Sequence, residues 1–574
     1  MKFFTACILT LLVARIQAQP YQTVFESSHG SETPTYPQII QWWSALSKNA
    51  PNIQMKVMGM TDAGMPLHLV TISGDKEFGY NQNHKRGKVV ILINNGIHPG
   101  EPDGIDASML LARDIVTHKL TLPSNIVLAI IPVYNIGGCL DRSSDYRVDQ
   151  NGPDEFGFRG NSQNLDLNRD FIKCDSREAI SFAEIFHLVD PDIFVDNHVS
   201  NGADYQHVMT LIATQHDKLG GAMGTYLNEV FEPALYASMK LKGLDLIPYV
   251  NAFGDKPENG WPQFMDWPRY GSGYAALWST FSFIPESHML KPYDQRVHAT
   301  YELMKTFIDF ATTHGTEIKQ VRAKTRDTEK TQKQFPLSWS SDRSISSTRL
   351  YKGYESGYKS SEVSGLPRLY YDRSKPFEKI IPFFDTYHPT AFVEKPSAYI
   401  MPQGWWRVAE LLKANKVKFY PLQHDTVIQV EVYKIEEYKS SPRPYEKHHP
   451  NSQVKTSITT QNISFRKGDL YIPMNQVANR YLMEVLEPAA PDSYFAWNFF
   501  DSVLGQKEGY SAYAFEDIAA DYLTNHPAAR LLLDEAKLKD SILAKSGSQQ
   551  LEFIFKNSPW FEPAYMRYPV YRVR

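Results

Sequence analysis

KVVILINNGIHPGE, residues 88–101, runs from an unbroken apolar stretch into a polar turn carrying His98 and Glu101. An apolar run of this length, with no polar alternation, suits a strand covered on both faces. Upstream, residues 36–47 repeat apolar positions at helical spacing. Residues 55–59 and 66–73 read as two strands around the turn Asp62-Ala63-Gly64. Downstream, residues 105–116 form an amphipathic helix, and 126–132 a second buried strand. A helix over 177–188 precedes PDIFVD (191–196), and STFSFI (279–284) follows as a further strand. Strands alternating with helices predict an α/β layer structure as far as about residue 315.

Past that point the pattern changes. Residues 319–333 are polar and charged, the composition of a linker or a long exposed helix end. The boundaries expected are a domain over 24–318, a linker over 319–334 and a C-terminal mixed α+β region over 335–574. In that region 427–433 alternates like a half-exposed strand. Residues 463–473 suggest a hairpin around Lys467-Gly468-Asp469, and helices are expected over 513–523 and 528–543. The aromatics there, Trp405-Trp406 and YFAWNFF (494–500), read as core rather than as a binding platform.

Composition excludes several classes. With 60 Lys+Arg against 64 Asp+Glu, the chain has no cationic excess to neutralise phosphates, so no nucleic-acid partner is expected. A 42% hydrophobic content is too high for a disordered chain, and three cysteines are too few for a disulfide scaffold. The first 18 residues have Lys2, a short apolar run and small Ala18, the pattern of a secretory signal peptide. That run is shorter than the ~20 apolar residues of a membrane span. The expectation is an exported protein, periplasmic or extracellular, with no membrane span. Cys139 and Cys174 then remain, and the sequence leaves open whether they pair.

The chemistry rests on strand exits. His98 and Glu101 can reach one metal ion, but H-x-x-[D/E] is a weak signal alone, and His29, His187 and His314 share the spacing. What separates His98 is its place directly after a buried strand, where ligand sites of open α/β sheets form. His198 follows DIFVDN at a second strand exit. By itself it would more often be a hydrogen-bonded structural histidine. With His98 and Glu101 it completes two imidazoles and a carboxylate, the ligand set of catalytic zinc with one position open. Glu286, past STFSFI and Pro285, puts a carboxylate at a third exit, where it can serve as general base or be no more than a cap. NLDLNRDF (164–171) alternates like a strand. Its Asn168-Arg169 pair suits a carboxylate ligand, or else a polar sheet edge.

The ordered set HPGE, NIGG (135–138), FRGN (158–161), NLDLNRDF, DNHVS (196–200) and IPE (284–286) resembles the zinc carboxypeptidases, the carboxypeptidase A-like family. The strand pair MGMTDAGMPLHLVTIS (58–73) agrees. The resemblance covers roughly residues 30–315. It implies a mixed twisted sheet flanked by helices and one Zn2+ per chain. His98, Glu101 and His198 match the metal ligands, Asp166 the acid that orients the first histidine, and Glu286 the general base. Arg159 matches the arginine that polarises the scissile carbonyl, with Arg147 and Arg142 as alternatives. Asn168 and Arg169 match the grip on a terminal carboxylate. Tyr270 and Tyr274 are both candidates for the tyrosine that caps the substrate, with Tyr274 favoured.

Two positions depart from the digestive members: Gly100 where they carry an arginine, and Ser200 where they carry a tyrosine. The implied activity is removal of C-terminal residues from peptides or proteins. The alternatives are a zinc amidase, endopeptidase or deacylase acting on cell-wall peptides, and, in another class, a binding protein that keeps the fold. Side-chain preference and oligomeric state are not legible.

Overall fold

The computed structural model describes residues 21–252 and 256–574, so the expected signal segment lies outside the described residues. The described chain divides into two compact units. One holds the residues up to 326 together with 341–388; the other holds 327–340 and 389–574.

The first unit is built on a mixed sheet. Its strands, in chain order, are β1 (Ile53–Met60), β2 (Pro66–Ser73), β3 (Val89–Asn94), β4 (Ile126–Ile131), β5 (Ile193–Asp196), β6 (His198–Ser200), β7 (Met209–Ala213), β8 (Ile247–Pro248) and β9 (Phe281–His288). They lie in the order β1-β2-β4-β3-β5-β9-β7-β8, with β6 paired to β9. Every residue of β3 and β4 is buried, as their unbroken apolar sequence requires. Helices Asp103–Val116 and Arg177–Val189 follow the turns after β3 and before β5, with mostly buried faces. Strands β4, β3, β5 and β9 run parallel, so β3 and β5 end side by side. Asn94 pairs with Asp196 at that end, and Glu286 of β9 pairs with His198 of β6. This is the mixed twisted sheet flanked by helices that the resemblance implies.

Three local expectations change. NLDLNRDF is not a strand: it holds a short 3-10 turn, Leu167–Arg169, because the Asp166 carboxylate caps the Asn168 amide and Asp170 accepts from Ser176. Its polar alternation therefore reflects side chains tied to the backbone. The charged stretch from 319, read as a linker or an exposed helix end, is a helix end over its first part, but not an exposed one throughout. It continues helix Tyr293–Thr331, and Arg322 is buried against Asp190 and Asp192 at 2.6 and 2.8 Å. Finally, the hairpin of Ser347–Ser360 and Pro367–Phe384 belongs with the first unit. Phe383 and Phe384 pair with Trp261 and Pro262, and Tyr351, Ile381 and Phe383 pack with Tyr205, Ile247 and Trp261.

The second unit has its own sheet, in which Tyr571–Val573 lies between Ala398–Met401 and Thr426–Ser440. Thr426–Ser440 pairs with Asn451–Phe465 as a long hairpin. The chain turns at Lys467-Gly468-Asp469 as expected, but Leu470–Pro473 pairs with Ala398–Met401, not with the strand before it. Tyr494, Phe495, Trp497 and Phe500 are buried, whereas Trp406 is 63% exposed at the start of helix Trp406–Ala414. Among the described residues, no helix is long and apolar enough to cross a membrane.

Candidate metal centre

Strand β3 ends at Asn94, and its exit is fixed by buried amides. Asn94 Nδ2 donates to Asp196 Oδ1 (2.9 Å), and Asn197 Nδ2 donates to Asn95 Oδ1 (2.9 Å). Gly96 sits at φ +63, so the chain turns sharply here. The Glu101 amide then closes the turn on the His98 carbonyl (2.8 Å). His98, Glu101 and His198 are thereby brought together from two strand exits, all three buried.

Their donor atoms lie within 4.8 Å of one another. Nδ1 of His98 is 3.4 Å from Glu101 Oε2, and Nδ1 of His198 is 3.2 Å from the same oxygen. The far nitrogens face carboxylates. His98 Nε2 meets Asp166 Oδ1 at 2.9 Å, and His198 Nε2 lies 3.2 Å from Asp196 Oδ2 without hydrogen-bond alignment. A proton on Nε2 of His98 leaves the Nδ1 lone pair for a metal, the usual arrangement of a ligating imidazole. Two imidazole nitrogens and a carboxylate oxygen fit Zn2+ with one corner open, and this donor set carries no thiolate that would close the site.

The electrostatics agree with a cation site. Burial pushes Glu101 up, but Arg147, His98 and His198 outweigh it and hold the carboxyl well below its usual range. Burial would lower His198, yet Asp196, Glu101 and Glu286 raise it well above the ordinary imidazole value. Asp166 is likewise held far below the carboxylate range, against its burial, by His98, Arg159 and Arg169. Glu286 goes the other way: burial lifts it to about 8.

His98, Glu101, His198 and Glu286 line one cavity of about 300 Å³, together with Arg147, Arg159, Asn168, Arg169, Tyr249, Phe264 and Tyr270. Arg159 grips Asp166 with Nε (3.0 Å) and Nη2 (2.8 Å) and donates from Nη1 to His98 Nδ1 (3.3 Å). The Arg169 guanidinium lies 4.7 Å over the Tyr270 ring. Of the residues expected at the site, two lie elsewhere: Arg142, one of the alternatives to Arg159, donates to the Pro34, Thr33 and Glu155 carbonyls, and Tyr274 is in the core. It is 1% exposed, its hydroxyl meets His187 Nε2 at 3.2 Å, and its ring packs among Phe171, Phe182 and Phe186. Tyr270, four residues earlier at the start of the same short helix, takes the cavity position. Sequence reasoning missed Tyr249 and Phe264, and named Arg147 only as an alternative. Cys139 and Cys174 are both buried thiols, and burial pushes Cys139 up to about 12.

Residues 39–203 match the family model described as zinc carboxypeptidase. Among solved structures, the metallo-carboxypeptidase of Burkholderia cenocepacia is similar at 15% identity over 48% of this chain and 69% of that one, with a TM-score of 0.36. The metallo-carboxypeptidase of Pseudomonas aeruginosa gives 14% identity, 49% and 69% coverage and a TM-score of 0.37. Carboxypeptidase A of Helicoverpa armigera gives 16%, 49% and 74%, and 0.36. A comparison with the curated proteins gives no match. The segment matched by the zinc carboxypeptidase model carries two of the three metal-ligand candidates at the β3 exit and the third at the β5 exit.

Proposed function

We propose that this chain is an exported zinc-dependent carboxypeptidase that removes residues from peptide or protein C-termini. The observation that supports it most is the sharing of one cavity by the His98/Glu101/His198 cluster, the Glu286 carboxylate and the Asn168-Arg169 pair. A site needs all three to bind a terminal carboxylate, hold a metal and move a proton.

The chemistry zinc supplies when bound is activation of a water and polarisation of a carbonyl oxygen. The protein's own groups do the rest. Arg169 offers a planar fork to the substrate's terminal carboxylate, and Asn168 adds a polar partner beside it. That anchoring places the last peptide bond over the cluster, so positioning supplies part of the acceleration. Glu286, in register with His198, is ionised by the positive charge of a bound cation, and in that form it takes the proton from water and returns it to the departing amine. Arg159, tied to Asp166, presents its guanidinium where negative charge develops on the carbonyl oxygen.

A peptide-library digest with mass readout tests the reading. Single-residue losses from free C-termini, abolished when the C-terminus is amidated, are expected. Cleavage of amidated peptides at internal bonds, or release of acyl groups, would favour the endopeptidase, amidase or deacylase alternatives instead.

A further inference from the structure

Gly100 lies between the metal-ligand candidates, and its missing side chain has an occupant. A Cβ built there would stand 2.8 Å from Cδ of Arg147 and 2.9 Å from the Gly157 carbonyl oxygen. Contacts this short require something to move. The Arg147 stem is flexible, but the Gly157 backbone is not.

Through that gap the Arg147 guanidinium reaches both halves of the cluster. Nη1 donates to Glu101 Oε1 at 2.7 Å, and Nη2 donates to the Val199 carbonyl, next to His198, at 3.2 Å. Nε donates to Gln150 Oε1 at 2.7 Å, and Gln150 Nε2 returns a bond to the Gly100 carbonyl at 2.9 Å. The other oxygen of Glu101, Oε2, accepts the Val199 amide at 2.9 Å and faces both imidazoles. One carboxylate oxygen is thus held by Arg147 while the other points at the donor cluster.

We propose that Arg147 is a positioning residue that orients Glu101 for metal binding, and that glycine at 100 with Gln150 is the cradle that holds it. This rests on the zinc-site reading above. Outer partners of a ligating carboxylate fix its orientation and tune affinity, and their loss costs roughly ten- to a hundredfold in metal binding.

The test is chelator competition for zinc on the full chain, with thermal melting as the check on folding. Arg147→Gln is expected to weaken zinc binding by roughly ten- to a hundredfold. Arg147→Lys should recover part of it, because an ammonium can meet Glu101 but cannot span Glu101, Gln150 and Val199 at once. Gly100→Ala should weaken binding at least as much, because its methyl group also meets the Gly157 carbonyl, a contact that Arg147→Gln does not relieve. Gln150→Ala, a milder change, decides the matter if Arg147→Gln does not fold; a several-fold loss of zinc affinity is expected. Folded variants that hold zinc as tightly as the parent, with the loss confined to KM, would overturn the proposal and make Arg147 a substrate contact. A parent protein that binds no zinc is a different result: it overturns the site reading itself.

Discussion

Nε2 of His98 stands 2.9 Å from Oδ1 of Asp166, a residue 68 positions later in the chain. Asp166 also caps the Asn168 amide and holds Arg159 with two bonds, so one carboxylate orients a ligand candidate, a carboxylate anchor and the guanidinium beside His98. Asp166→Asn keeps the shape but removes the charge. It is expected to weaken zinc binding roughly tenfold or more, and to lower kcat/KM further because Arg159 is released. Chelator competition and steady-state kinetics on the same preparation check both parts.

Glu286→Gln separates holding the metal from using it. Glu286 is not one of the three donors, so zinc should remain bound at full occupancy. Loss of the proton-transferring group is expected to reduce kcat by about 10²- to 10⁴-fold. Retained activity with bound zinc would assign proton transfer to another group.

The two tyrosines give opposite signatures. Tyr274→Ala empties a packed aromatic cluster and should cost roughly 3–5 kcal/mol of stability. Tyr270→Phe leaves the core alone, so the denaturation midpoint should stay put while KM for free-carboxylate substrates rises. Urea melts and kinetics on the pair of variants would show the reverse if Tyr274 were the substrate contact.

Much of this was legible in the chain. The strand over Val89–Asn94 announced itself because all six positions are buried, leaving no alternation to confuse the reading. His98, Glu101 and His198 were found because they follow apolar runs; Glu286, read as past the end of a strand over 279–284, lies inside β9, which runs on through Pro285 to His288. Where reading went astray, the deciding contact was long-range or conformational. Tyr270 and Tyr274 sit one helical turn apart, and nothing local says which ring meets Phe171 and Phe182. The alternation in 164–171 comes from Asp166 and Asp170 capping turns, a pattern that counts the same as a strand's. The 347–384 hairpin joins the first unit through Trp261, far away in sequence. Arg147 has no motif of its own; its only trace is a glycine at 100 that makes room for it.

Asp106 offers a test of the fold that does not involve the metal. It is buried, and burial lifts its carboxyl to about 7, while Thr33 and Tyr293 donate to Oδ2 at 2.6 and 2.5 Å. Its folded value lies above the ordinary unfolded value of ~3.9, so between about pH 4 and pH 7 the unfolded chain carries fewer protons than the folded one. Stability from this group therefore falls as pH rises through that window. Asp106→Asn mimics the protonated form and should flatten the slope, gaining on the parent by about 3 kcal/mol between those limits. Glu178, also lifted by burial to about 7, adds a slope of the same sign in both proteins, so the difference between them is the quantity to measure.

The central claim is that His98, Glu101 and His198 hold one zinc ion. Elemental analysis of the purified chain after dialysis against zinc, beside a folded His198→Ala variant, addresses it most directly. One zinc per chain in the parent and a small fraction of that in the variant is the predicted result. A folded parent with no zinc, or a variant that retains a full equivalent, would contradict it.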